Sequence, residues 1–143
     1  MDMEWSFAPR GRTAAGLLLL ARALLAAIFM HEAWAKLSAY TAASGYMRAF
    51  GIPPELLPLA IAVELGGGLM ILAGFGTRIA AFALAGFCLV TALIFHTNLG
   101  DRNQLLHFEK DLAIAGGFLA LLVSGGGSWA ADAWLGRSSV HDP

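Results

Sequence analysis

Apolar residues fill the chain in four long blocks, separated by short clusters of glycine, proline and charged positions: Thr13 to Lys36, Pro54 to Phe75, Thr77 to Thr97 and His107 to Ser124. A bilayer core about 30 Å thick is crossed by about 20 apolar residues of helix. Within hydrocarbon, a helix satisfies every backbone group inside its own segment. The pattern therefore predicts an all-α integral membrane protein, a single domain of four transmembrane helices over 13–36, 54–75, 77–97 and 107–124.

The links refine this bundle. Gly74 to Arg78 is so short that spans two and three must form an antiparallel hairpin. The link from Leu37 to Pro53 holds Tyr40, Tyr46, Met47 and Phe50, a set suited to a short interfacial helix. In the tail, Trp129 and Trp134 beside Asp132 and Arg137 read as a short C-terminal interfacial segment, capped by Ser128. Arg10 and Arg12 before an apolar run, with Ala33-Trp34-Ala35 after it, imitate a signal peptide. The run is longer than a signal core, however, carries Arg22 in its middle and is followed by three further spans that need a partner.

Composition agrees. Hydrophobic residues make up 58% of the 143 positions and charged ones 13%, and the mean hydropathy is +0.68, outside the range of ordinary soluble domains. A net charge of -1 leaves no basic stripe for a phosphate backbone, so nucleic acid is not an expected partner; the lipid bilayer is. Cys88 stands alone, which excludes an internal disulfide, dithiol exchange and a cysteine-rich zinc site. Its apolar neighbours Phe87 and Leu89 mark it as a small buried hydrophobe. Arg10, Arg12, Arg78 and Arg137 on one face balance Lys36, Arg48, Arg102 and Lys110 on the other. With Lys36 and Lys110 paired at span ends, the bias places both termini in the cytoplasm.

Antiparallel order brings the end of span one, the start of span two, the end of span three and the start of span four to one membrane face. His31, Glu32, Lys36, His96, His107, Glu109, Lys110 and Asp111 gather there, and the opposite face is sparse. Arg22 and Glu64 lie deeper, where an unpaired charge costs about 2.5 to 3.5 kcal/mol. At about 1.5 Å per residue, Glu64 falls about 15 Å and Arg22 about 21 Å from the shared face, which predicts an ion pair between them. Such a pair either fixes helix register or forms the polar wall of a pocket. On a helical wheel Glu32 and Lys36 fall within about 80° of Arg22 and pair i,i+4, while His31 points the other way. The candidate ligand- or partner-binding residues are therefore Arg22, His31, Lys36, Glu64, His96, His107 and Asp111. The histidine spacing matches no metal or haem motif, so no metal site is expected. Gly66-Gly67-Gly68 and Gly116-Gly117 allow close helix packing; the triplet alternatively loosens span two and leaves room for a flat ligand.

The order Arg22, Lys36-Leu37, Gly51-Ile52-Pro53 and Glu64-Leu65-Gly66-Gly67-Gly68 resembles the DoxX family of small bacterial membrane proteins. Gly74, Thr77 and Arg78 resemble its short turn; His96 and the stretch Phe108 to Gly117 resemble the start of its fourth helix. Ala33 stands where a glycine is usual and Asp111 where an asparagine is common, so a neutral hydrogen-bonding role at Asp111 would need Lys110 or His107 to compensate its charge. The resemblance implies a four-helix protein of the bacterial inner membrane, related to the DoxD subunit of a thiosulfate to quinone oxidoreductase. By that analogy the chain is a membrane subunit or accessory of a quinone-linked redox system, with a quinone as cofactor and redox-complex subunits as partners. No nucleotide-binding glycine loop, dithiol or serine-histidine-acid order is present, so catalysis would draw on a borrowed redox group. Two alternatives stand beside this reading: a non-enzymatic scaffold or anchor for a protein partner, and a small-solute binder or carrier. Four short helices without an internal repeat would serve the last role only as a homo-oligomer.

Overall fold

The computed structural model describes residues 11–138. Six helices follow in order: α1 (Arg12–Ser38), α2 (Tyr40–Ala49), α3 (Leu57–Ala73, led in by a 3-10 turn over Pro54–Leu56), α4 (Thr77–Phe95), α5 (Arg102–Ser124) and α6 (Ala131–Ser138). Among the described residues, α1, the segment Pro54–Ala73 and α4 are long and apolar enough to cross a membrane. The 23-residue α5 is about 35 Å long. Its first turns carry Arg102, Glu109, Lys110 and Asp111, and its apolar stretch begins at Leu112. Together the four long helices make a helical membrane bundle.

Helix α5 starts five residues before the apolar block does, for a local reason. The Asp101 carboxylate accepts from the amides of Asn103 (2.8 Å) and Gln104 (3.0 Å), satisfying first-turn donors that would otherwise be orphaned. The cap, rather than hydrophobicity, sets this boundary.

α1 and α3 meet along matching stripes. Ala15, Arg22, Ala26, Phe29 and Ala33 are buried on α1, and Leu57, Ile61, Glu64, Gly68 and Ile71 on α3. Spacings of three and four keep each stripe on one face, the geometry of helices crossing at about 20°. A side chain at Gly68 would press on Met30, at 3.2 Å, and on the Ala26 carbonyl and Phe29, at 3.5 Å; one at Gly67 would meet Leu84 of α4 at 2.9 Å. The triplet thus draws α3 against α1 on one side and α4 on the other, and only Gly66 faces open space. Phe118 of α5 completes the core, edge-on to Phe29 with ring centroids 5.4 Å apart. Cys88 is buried there, as its apolar neighbours predict.

The hairpin between α3 and α4 closes on Gly74, in the left-handed region at φ 72°. The Phe75 amide donates to Met70 O (3.0 Å) and the Gly74 amide to Ile71 O (3.2 Å), a Schellman ending that a glycine at this position permits. At the other end of the bundle α2 lies across the tips of α1, α3 and α4. Met47 packs with Ala33, Leu57 and Ile61, and Tyr46 stacks on Phe95 at 5.4 Å.

The tail forms a short helix, but α6 starts at Ala131, so Ser128 is not its cap. The segment is tied down. A side chain at Gly16 would touch the Trp129 ring and one at Gly127 would meet Leu18, so both lie against α1, while the Asp132 amide donates to Gly74 O at 2.9 Å. The first turns of α1 and the segment leading into α6 therefore meet at one end of the bundle. Arg10, counted in the charge comparison, lies outside the described residues.

Candidate functional site

The inward stripe of α1 continues one turn past Ala33 to Lys36. Its ammonium donates to Glu64 Oε1 at 2.8 Å and to Glu32 Oε2 at 3.3 Å. The Glu64 side chain is 4% exposed and that of Lys36 26%. Glu64 Oε2 is buried and has no hydrogen-bond partner among the described residues.

The expected ion pair between Arg22 and Glu64 does not form. Gly74 lies against the Arg22 guanidinium, ten residues and about 15 Å along α3 from Glu64. Counting depth from a shared face puts the start of span two level with Lys36. In the bundle the 3-10 turn and first turns of α3 extend past Lys36, which brings the lysine to Glu64 and leaves the arginine far below.

A second cluster adjoins the first. His96, which ends α4, holds Gln104 Oε1 through Nδ1 at 2.9 Å, and its Nε2 lies 3.9 Å from Asp111 Oδ2. With Gln104 as acceptor, Nδ1 carries the hydrogen, so Nε2 accepts when the ring is neutral and donates when it is charged. The His96 ring stacks on His107, with centroids 5.1 Å apart, and Lys110 Nζ reaches His107 Nδ1 at 3.2 Å. The aspartate that departs from the family pattern thus finds His96 as its partner, rather than Lys110 or His107 directly. Glu32 lies within electrostatic range of both Glu64 and Asp111, and Cys88 within range of the same two carboxylates.

Of the candidate residues, the fold therefore groups Lys36, Glu64, His96, His107 and Asp111 at one end. His31 is exposed on the outer side of α1 and joins neither cluster among the described residues. No group of three or more His, Cys, Asp or Glu side chains is placed to hold a metal ion among the described residues.

Arg22 belongs to the other end, where the sequence holds few ionisable residues. It is fully buried and donates through Nη2 to Trp129 O at 2.9 Å. The guanidinium also lies at the C-terminus of α3, where the helix dipole favours a cation. Asp132 completes this arrangement: Oδ1 accepts from the Gly76 amide (2.7 Å) and Oδ2 from the Thr77 amide (2.9 Å), capping α4 from 55 residues away. Burial pushes the Asp132 carboxyl up; the Thr77 and Gly76 amides and the Arg22 charge outweigh it and hold the group below its ordinary value.

Sequence reading missed Asp132 and Gln104. Gln104 had a usable signal, since it lies one helical turn before His107 and Phe108 on the same helix. Asp132 had none, because what it caps is distant in sequence.

Comparison with known proteins places the chain in a family. The DoxX family model matches residues 17–97, which hold Arg22, Lys36, Glu64 and His96. Inner membrane protein YqjF of Escherichia coli (strain K12) is 43% identical over 120 residues, which cover 84% of this chain and 92% of that protein. Inner membrane protein YphA of the same organism is 33% identical over 123 residues, covering 81% and 88%. No solved structure matches the chain. On the family match and these two relatives, the chain belongs to the DoxX family.

Proposed function

We propose that this protein is a multi-pass protein of the bacterial inner membrane that serves a quinone-linked redox system by binding the lipid-soluble quinone at the Lys36–Glu64 end of its bundle. The names of its two relatives support the membrane, and the family resemblance supports the redox link. The observation that carries the binding reading is Glu64 Oε2: a carboxylate oxygen buried beside a paired lysine, with no partner of its own. An unmet buried acceptor costs about 1 to 3 kcal/mol, which a donor on a bound ligand would offset. Ionisable groups kept inside a membrane protein mark ligand or proton pathways by default.

The residues fit such a ligand. Glu64 and Lys36 would hold its polar head, and Asp111, His96 and His107 lead from there toward the aqueous end as groups able to take up or release protons. A bound quinone would supply electron transfer, for which the chain carries no group of its own. Orientation follows the charge bias, with both termini cytoplasmic.

The test is to purify the protein in mild detergent and extract it for lipids, quinones and chromophores. A quinone, in its oxidised or reduced form, recovered in near-stoichiometric amount from the wild type is expected. An extract without any flat lipid-soluble ligand, together with no binding of added quinone, would sink the reading and leave the scaffold alternative.

A further inference from the structure

Hydrogen-bonding capacity around Glu64 is unbalanced. On α1, the Lys36 ammonium is committed to Glu64 and Glu32, and its remaining hydrogen belongs to a quarter-exposed side chain that water can reach. On α4, the Thr91 hydroxyl bonds to the carbonyls of Phe87 (2.9 Å) and Cys88 (3.0 Å), which leaves Cys88 with a thiol, a weak donor. His96 Nδ1 is taken by Gln104. What remains facing inward from α3 and α5 is acceptor capacity: Glu64 Oε2, buried and unpartnered, and the Asp111 carboxylate, with His96 Nε2 at 3.9 Å.

An ionised carboxylate only accepts. The buried need at Glu64 is therefore for a donor. A quinone head presents only carbonyl oxygens, and placing one against Oε2 would oppose two sets of lone pairs. Its reduced form presents hydroxyls.

Resting on the reading of this end as a quinone site, we infer that it selects the reduced, hydroxyl-bearing form: Glu64 Oε2 accepts from a phenolic O–H, and the site binds a quinol, or a phenol of similar shape, in preference to the matching quinone. A hydrogen bond to a charged acceptor corresponds to about tenfold or more in affinity. A tenfold preference for the reduced form raises the midpoint of the bound two-electron couple by about 30 mV.

The test uses the full chain in detergent and titrates it calorimetrically, without oxygen, with decyl-benzoquinol and decyl-benzoquinone, and separately with 4-nonylphenol and its methyl ether. The second pair shares a shape and differs in one O–H, with no redox change. Expected are about tenfold tighter binding of the quinol and of the phenol in the wild type, and a ratio near one for the quinol pair in Glu64→Gln, whose amide can donate to a carbonyl. Both wild-type comparisons stand even if the variant fails to fold. Equal binding within both pairs, or tighter binding of the quinone, overturns the donor preference while leaving the quinone reading intact. Binding of none of the four ligands overturns the quinone reading as well.

Discussion

Lys36 reaches inward to Glu64, 2.8 Å away, although long cations at the ends of membrane helices ordinarily extend outward to the headgroups. The lysine is drawn down because the carboxylate it meets is almost wholly buried. Removing the lysine leaves that charge stranded.

Lys36→Met should therefore destabilise the protein by about 3 to 5 kcal/mol, the usual consequence of breaking a buried pair on one side. Lys36→Met combined with Glu64→Gln should recover part of the loss. By contrast, Arg22→Gln and Glu64→Gln should add, because the two groups lie at opposite ends of the α1–α3 seam. Reversible unfolding in detergent measures all three. Coupling between Arg22 and Glu64 as large as that between Lys36 and Glu64 would refute the assigned register.

Asp132→Ala should weaken the start of α4 and free the tail together. Loss of an N-cap side chain corresponds to about 0.5 to 2 kcal/mol, and the tail also loses its attachment at Gly76 and Thr77. Limited proteolysis should then cleave between Gly125 and Ala131 faster than in the wild type. Unchanged cleavage would mean that Trp129 and Arg22 hold the tail without the aspartate.

The same carboxylate sets a pH dependence. Its folded pKa lies below the ordinary value of 3.8, so its contribution is complete above that value and is lost as the pH falls through the lower, folded one. The stability gap between the wild type and Asp132→Ala should be constant from neutral pH to about 5 and close only in stronger acid. A gap that closed near neutrality would assign the effect to another group.

Gly74→Ala and Gly66→Ala should behave oppositely. A side chain at Gly74 needs a left-handed backbone and would collide with Arg22 and Ala130, a combination expected to cost more than about 1 kcal/mol. Gly66 is helical with open space beside it, so alanine there should leave stability unchanged or raise it by up to about 1 kcal/mol. Thermal unfolding of the two variants side by side decides this.

Single cysteines replacing Ser6 and Ser139 should react with an impermeant reagent from the cytoplasmic side, and one replacing Asn103 from the other; the buried Cys88 should stay silent. Any split between the two termini would break the proposed topology.

The long helices were legible because apolar length is itself the physical cause of membrane helices, and the Gly74 turn because few residues can span so tight a hairpin. The clustering at the polar end followed from antiparallel order alone, which needs no side-chain detail. Register was not legible: hydropathy does not fix how far one helix extends past its neighbour, and the choice between Arg22 and Lys36, about four turns apart on α1, turned on how far α3 reaches beyond Lys36. Nor was the role of Asp132, since a cap supplied across 55 residues leaves no local trace. His31 illustrates the complementary limit. It shares a membrane face with the cluster and lies on the wrong side of its own helix, as the wheel had indicated.

The anchoring of Arg22 by Trp129 and Asp132 has a consequence for biosynthesis. Arg22 is made with α1, and Trp129, whose carbonyl binds it, is made 107 residues later. Until Trp129 and Asp132 are made, α1 holds an uncompensated cation and has reason to slide, tilt or stay beside the insertion machinery rather than settle in lipid. A chain broken off before Trp129 is therefore expected to leave its first helix unsettled, with Arg22 deprived of the carbonyl that binds it.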